Sequence, residues 1–227
     1  MVSYNDPFEL NFFGERYPLP QVEADSQTKE MILLHATVLF AKRGYSSVSM
    51  RDISDAVSLK AASLYNHFAS KEVLWREVLR HARKLYVLYF NHLDGELGQA
   101  ESFDEMMEAI FSEPKKLANV FTCYAFTMIM SEQFHDYEAG EIFTGTFLEY
   151  SINFFQNWFE KSIADGMVPP FDTRMVATVI MHSTLIGLEV KVQEYLGRSV
   201  PYDPSAMFAD LQRFLYRTVM QKGMDGK

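Results

Sequence analysis

Cysteine is nearly absent from this chain: the 227 residues contain one, Cys123. A single thiol excludes an internal disulfide and fits a reducing cytosol. Long uncharged runs are missing too. The most apolar stretch, 175–190, is too short to span a bilayer and carries His182, Ser183 and Thr184. No positively charged N-terminus precedes an apolar stretch, so no signal peptide is expected. The signatures of catalysis are also lacking: there is no glycine-rich phosphate loop, HExxH, CxxC, or Ser-His-Asp pattern in a strand–turn–helix context. The six histidines are dispersed, with no pair at helical ligand spacing beside a third candidate. The expectation is a cytoplasmic protein with no catalytic residue, no metal ligand, no cofactor and no membrane segment.

What the chain does have is apolar content and an uneven distribution of charge. A hydrophobic fraction of 48% supports a sizeable core, in one large domain or a small one joined to a larger. The net charge of −9 hides a division by region. Residues 26–84 carry ten Lys/Arg against five Asp/Glu, a balance of +5, whereas 85–227 carry ten against twenty, a balance of −10. Such asymmetry orients a molecule as it approaches a polyanion.

The basic region contains the most informative stretch, GYSSVSMRDISDAVSLKAASLYNHFASK, residues 44–71. Ser49 and Asp52 have the spacing of a capping box, which starts a helix at Met50. Met50, Ile53 and Val57 give that helix one buried face. Ser58 and Leu59 form a turn, and a second helix over 60–67 buries Leu64 and is pinned by Phe68. Its outward positions are Lys60, Ala61, Ala62, Ser63, Tyr65, Asn66 and His67. They are small, polar or basic, which suits close approach to a DNA groove, with polar groups reaching phosphates and base edges.

LKAASLYNHFASKEVL resembles the recognition-helix signature of the TetR family of bacterial transcriptional regulators. The preceding LFAKRGYSSVSMRDIS is similar to that family's first two helices, and the likeness runs over 28–79 without a gap. Ser58 departs from the family's usual turn glycine, and Ala62 stands where Gly or Pro is frequent; a serine at positive φ is strained. The resemblance implies an all-α fold of about nine helices. It further implies a DNA-binding set of Ser49, Arg51, Lys60, Ala61, Ala62, Ser63, Tyr65, Asn66, His67 and Lys71. In that set Lys60, Tyr65, His67 and Lys71 face phosphates, and Ala61, Ser63 and Asn66 approach bases. The partner is double-stranded DNA carrying an inverted-repeat operator.

In chain order, residues 1–25 form an extension outside the resemblance. They hold five acids against Arg16, and read as an extended segment docked on the body or on a second subunit. The helix-turn-helix domain is expected over 26–71 and the ligand-binding and dimerisation domain over 72–227. The first helix is capped at Asp25 or Ser26 and closed by Gly44. The fourth is expected over 70–93, stopping before Asp94-Gly95. Further helices are expected over 103–113, 114–131, 137–165, 173–196 and 204–221, with Pro114, Gly166 and Gly197 as terminators.

Aromatic residues make up 15% of the chain and methionines number thirteen. Core packing accounts for most of them. Some stand where the family's helices wall a ligand cavity: Tyr89, Phe121, Tyr124, Met128, Phe147, Tyr150 and Phe154. These suit a small hydrophobic or aromatic ligand. His182 with Glu189 is either a polar handle for that ligand or a buried pair. The last two helices are apolar over wide stripes, Met175–Leu188 nearly all round, and Gly187 permits close approach. The resemblance implies that they pair with their symmetry mates in a homodimer. The leading expectation is a homodimeric repressor released from its operator by that ligand. The alternative is a DNA-binding protein of the same fold, constitutive or regulated by a protein partner, with no cavity.

Overall fold

The computed structural model describes the backbone of residues 9–12, 15–18, 24–117, 120–195 and 198–221. It describes side chains over 27–111, 123–194, 198–203 and 206–219. Among these residues the fold is all-α apart from one short hairpin, in which β1 (Glu9–Phe12) pairs antiparallel with β2 (Glu15–Pro18). Helix α1 starts at Ala24, so Asp25 and Ser26 stand inside it and not at its cap, their side chains lying outside the described residues, as do the expected docking of the extension and the stop at Gly197.

The helices are α1 (Ala24–Arg43), α2 (Met50–Ala56), α3 (Ala61–His67), α4 (Lys71–Leu97) and α5 (Phe103–Leu117). They continue with α6 (Val120–Glu132), α7 (Tyr137–Glu141), a π-helical stretch (Ile142–Tyr150), α8 (Ser151–Ala164), α9 (Thr173–Tyr195) and α10 (Pro204–Gln221). Because α7, the π-helical stretch and α8 run on without a break, counting them as one gives nine helices among the described residues.

The helix expected over 114–131 starts only at Val120, because Pro114 belongs to α5, and three features differ further from the sequence expectation. Helix α4 passes through Asp94-Gly95 because Leu97 is buried beyond it and Trp158 Nε1 donates to Asp94 Oδ1 at 2.9 Å. An interior glycine costs about 1 kcal/mol, and burying a leucine returns about 1.5–3 kcal/mol. Helix α5 carries Pro114 in its last turn instead of stopping there. A proline forfeits its own amide bond and crowds the preceding turn, but leaves later residues free to adopt helical dihedrals. The expected single helix over 137–165 widens between Ile142 and Tyr150 into nine residues of π-helix, a form that normally occurs as one-turn bulges.

The chain divides into two compact units, Met1–Leu85 with Asn119–Ile142, and Tyr86–Ala118 with Phe143–Lys227. The first therefore contains the helix-turn-helix together with α6 and α7. Within it α1 packs on α6 and α2, α2 on α3, and α6 on α7, around the fully buried Ile32, Ala36, Phe40, Ile53, Leu64 and Leu74. In the second, α9 packs on α8, α10 and α5, and α10 also reaches α5. Thr173–Glu194 is long and apolar enough to cross a membrane by length and composition alone, and it packs against these three helices with 44% of its most apolar window buried. At Gly187 α9 approaches α10 closely: a Cβ there would lie 2.7 Å from the Phe208 ring.

Candidate nucleic-acid interface

The local geometry begins at Gly44, which ends α1 at φ +77°, a backbone region open to glycine at no steric cost. Arg43 then reaches forward, donating to Ser47 O at 3.0 Å and Asp52 Oδ1 at 2.9 Å. Asp52 closes the expected capping box. Its amide donates to Ser49 Oγ at 3.1 Å, and its carboxylate accepts the Ser49 amide at 2.7 Å. Hydrogen bonds from the Ser49 side chain and amide, then from Arg43, hold the Asp52 carboxyl far below the usual carboxylate range. These bonds fix the start of α2, and Met50, Ile53 and Val57 bury its inner face.

The turn to α3 runs through Ser58 at φ 55°, which is the left-handed conformation the missing glycine would supply. Its strain is held by backbone bonds on either side, Ser58 N to Asp55 O at 3.2 Å and Leu59 N to Ser54 O at 2.9 Å. Lys60 occupies the N-cap of α3 without a side-chain capping bond, so its ammonium is left to other partners. Leu64 and Phe68 are buried and anchor α3 on the head.

The outward face is then set by helical phase. Lys60, Ala61, Ala62, Tyr65 and Asn66 are exposed, while Ser63 and His67 are half-buried. Ser49 and Arg51 are exposed on α2; Arg51 has only a 4.0 Å ion pair with Asp55, its side chain 87% open to solvent. Lys71 is half-buried at the start of α4, with its ammonium 4.1 Å from the centre of the Tyr45 ring. Burial lowers the Lys71 pKa, against the carboxylates of Glu132 and Asp52, which raise it. Lys29, passed over in the sequence, is an exposed cation on α1 with its ammonium 5.5 Å from the Phe68 ring. One basic side chain on a helix gives no signal of its own until that helix is seen beside α3.

The expected ligand-site residues are divided between the two units. Tyr124 and Met128, on α6 in the first unit, are buried, and the Lys42 ammonium stands 5.2 Å from the Tyr124 ring. In the second unit Tyr89, Tyr150 and Phe154 surround Phe90 with ring centroids 4.9–5.5 Å away, and Phe147 lies 4.3 Å from Tyr86. The side chain of Phe121 lies outside the described residues. His182 and Glu189 are both exposed on α9, so they are not a buried pair; His182 Nδ1 donates to Thr178 O at 2.8 Å. A buried polar group beside these rings carries no local sequence signal. The Tyr86 hydroxyl shares a 3.0 Å hydrogen bond with Ser151 Oγ at the end of the π-helical stretch, and burial pushes its pKa up. Among the described residues no group of three His, Cys, Asp or Glu side chains is placed to hold a metal.

Residues 32–78 match the profile of the family described as bacterial regulatory proteins, tetR family. Over 63 residues the chain is 40% identical to the HTH-type transcriptional repressor KstR2 of Rhodococcus jostii, covering 28% of this chain and 31% of that protein. Over 68 residues it is 35% identical to the biofilm operon icaADBC HTH-type negative transcriptional regulator IcaR of Staphylococcus epidermidis, covering 29% of this chain and 37% of that protein. The chain thus matches about a third of the length of these curated relatives. Similarity in fold extends further. A structure of Salmonella enterica GusR superposes with TM-score 0.63 at 21% identity, over 87% of this chain and 98% of that one. A regulator from Saccharomonospora viridis in complex with choline gives 0.65 at 19% identity, over 86% and 98%.

Proposed function

We propose that this chain, whose residues 32–78 match the profile of the tetR family of bacterial regulatory proteins, is a cytoplasmic transcriptional repressor of that family without enzymatic activity. It binds double-stranded DNA as a homodimer and leaves an inverted-repeat operator when a small hydrophobic or aromatic ligand binds. The observation that carries this reading is the outward face of α3. Small and polar residues stand exposed on a helix whose opposite side is pinned by Leu64 and Phe68. A helix of that kind enters a major groove, with Lys60, Tyr65, His67 and Lys71 on phosphates and Ala61, Ser63 and Asn66 against bases. Repression is favoured over activation because KstR2 and IcaR are named as a repressor and a negative regulator.

The last two helices support the dimer. A groove of about 600 Å³ runs between Ser183 on α9 and Asp203, Met207, Leu211 and Phe214 at and along α10. Met175, Ile186 and Phe214 leave large apolar side chains exposed there or nearby along α9 and α10. A second copy of the chain would bury such a face.

Purified protein incubated with random DNA tests the reading. Recovery of an inverted repeat with half-sites ~34–36 Å apart supports a twofold dimer reading successive major grooves. Recovery of no sequence, or of an unrepeated site, overturns it. The ligand step is tested by titration with and without operator. Linkage requires each to weaken the other by the same factor, roughly 5- to 150-fold for couplings of about 1–3 kcal/mol. Choline belongs in the screen, since residues 85–227 carry a balance of −10. The second reading, regulation by a protein partner or none, is favoured by the packing of the aromatic rings around Phe90 on one another.

A further inference from the structure

The polar circuit beneath the α1–α2 turn does not close within residues 32–78. Tyr45 is its centre. The Tyr45 amide donates to Glu132 Oε1 at 2.9 Å, and its hydroxyl donates to Glu72 Oε2 at 2.9 Å. Its ring lies 4.9 Å from that of Trp75 and 5.6 Å from that of Phe40, and the Lys71 ammonium stands 4.1 Å from its centre. Trp75 Nε1 donates to Asp136 at 3.1 Å. Arg76 donates from Nη1 to Asp136 at 2.9 Å and Glu138 at 3.2 Å, and from Nε to Glu72 at 2.9 Å. Asp136 also caps α7, accepting the Ala139 amide at 3.0 Å.

Two carboxylates at the corner between α6 and α7 therefore hold Tyr45 from both sides. Glu132 grips the backbone just after Gly44, and Asp136 grips the two α4 residues that face the ring and its hydroxyl partner. Asp136 is mostly enclosed, its side chain 16% exposed, so its bonds to Arg76 and Trp75 are less screened than those of an open ion pair. Lysine has a flexible four-carbon stem and loses much rotamer freedom when it meets a phosphate; a ring that already holds its ammonium lowers that loss.

We infer that Glu132 and Asp136 are positioning residues for DNA binding, which fix Tyr45 and the first turns of α4 so that the Lys71 ammonium is aimed at a phosphate. This rests on the reading of the α3 face as the DNA surface. The two carboxylates touch no nucleic acid themselves; they act through Tyr45, Trp75 and Arg76. A role in stability alone predicts something else, a uniform loss that does not depend on whether Lys71 is present.

Affinity for the selected operator, measured against salt, separates the two. The full-length wild type, Asp136→Asn, Lys71→Ala and the double variant are compared, with melting temperatures alongside. Asp136→Asn should weaken binding about tenfold, equal to about 1.4 kcal/mol. It should also flatten the log–log salt slope by about 0.9, the value for one phosphate. In the Lys71→Ala background the same substitution should change neither. Equal weakening in both backgrounds, or a lower melting temperature with affinity and slope unchanged, overturns the inference. Should Asp136→Asn fail to fold, Glu132→Ala carries the test with Glu132→Gln as its rescue, because the glutamine oxygen still accepts the Tyr45 amide. Loss in the alanine variant with restoration in the glutamine variant supports the inference, and equal binding by both overturns it. A wild-type protein that selects no DNA overturns the DNA-binding reading itself, a different failure from the loss of this coupling.

Discussion

The α2–α3 hairpin and the aromatic cluster around Phe90 hold their shapes by different means. In the hairpin, backbone and short polar side chains set the geometry. Ser49 and Asp52 cap one end, and Ser58 turns the chain at positive φ. Leu64 and Phe68 then need only anchor a helix of seven residues. Around Phe90 ring packing sets the geometry, with the Tyr86 hydroxyl bonded to Ser151 Oγ at its edge. Tyr89, Tyr150, Phe154 and Phe155 meet Phe90 ring against edge and Tyr86 lies tilted against it, at centroid separations of 4.9–5.9 Å. The hairpin leaves its outer face free for a partner because its shape does not depend on that face. The cluster spends its side chains on one another, so its shape and its contacts cannot be separated.

If that contrast holds, substitution should cost most in the cluster. Phe90→Ala removes the ring that five others share, and a buried Phe→Ala change costs about 3–5 kcal/mol. For a chain of this size each kcal/mol corresponds to roughly 2–4 °C in melting temperature. A fall of only a degree or two would mean that the cluster is loosely packed and can collapse, which would break the comparison.

Smaller effects are expected in the hairpin, and they should come from backbone chemistry. Ser49→Ala removes the capping box and should cost about 1 kcal/mol, read by denaturant unfolding in the absence of DNA. Ser58→Gly should do the opposite. A left-handed L-residue costs roughly 1–2 kcal/mol, and the extra unfolded freedom of glycine takes back about 0.5–1 kcal/mol. The variant should therefore melt slightly higher than the wild type. A lower melting temperature would show that the serine side chain, not its backbone, is what the turn needs.

The smallest expected effect is that of acid on the first unit. Burial alone would raise the Asp136 carboxyl, but hydrogen bonds from Ala139, Trp75 and Arg76 outweigh it and hold it below its ordinary 3.8. A depressed carboxyl stabilises the fold fully above its unfolded value and loses that contribution as pH falls through the folded one. The stability gap between wild type and Asp136→Asn should therefore be constant above about pH 5 and narrow towards pH 3. A gap that does not change with pH would mean that Asp136 gains nothing from its charge.

The same contrast explains what could be read from the chain. The capping box, Gly44, the anchors Leu64 and Phe68 and the α10 boundaries all depend on residues within a turn or two of one another, so their signals are local. Ser58 was legible as a departure, and its φ of 55° follows from the turn the motif requires. The widening at Ile142–Tyr150, the passage of α4 through Gly95, and the Asp136 circuit were not legible. Each is accompanied by a partner about 60 residues away in sequence: Tyr86 bonds Ser151 just after the π-helical stretch, Asp94 bonds Trp158, and Trp75 bonds Asp136. Glycine and proline signal where a helix is weakest, and burial elsewhere decides whether it stops there.

The central claim is that the outward face of α3 and the start of α4 form a DNA surface. Its most direct test is the affinity of the full-length protein for its selected operator, measured across a salt series for wild type, Lys60→Ala and Lys71→Ala. Each lysine that meets a phosphate should, when removed, weaken binding and flatten the log–log salt slope by roughly 0.9. Unchanged affinity and unchanged slope in both variants would contradict the account.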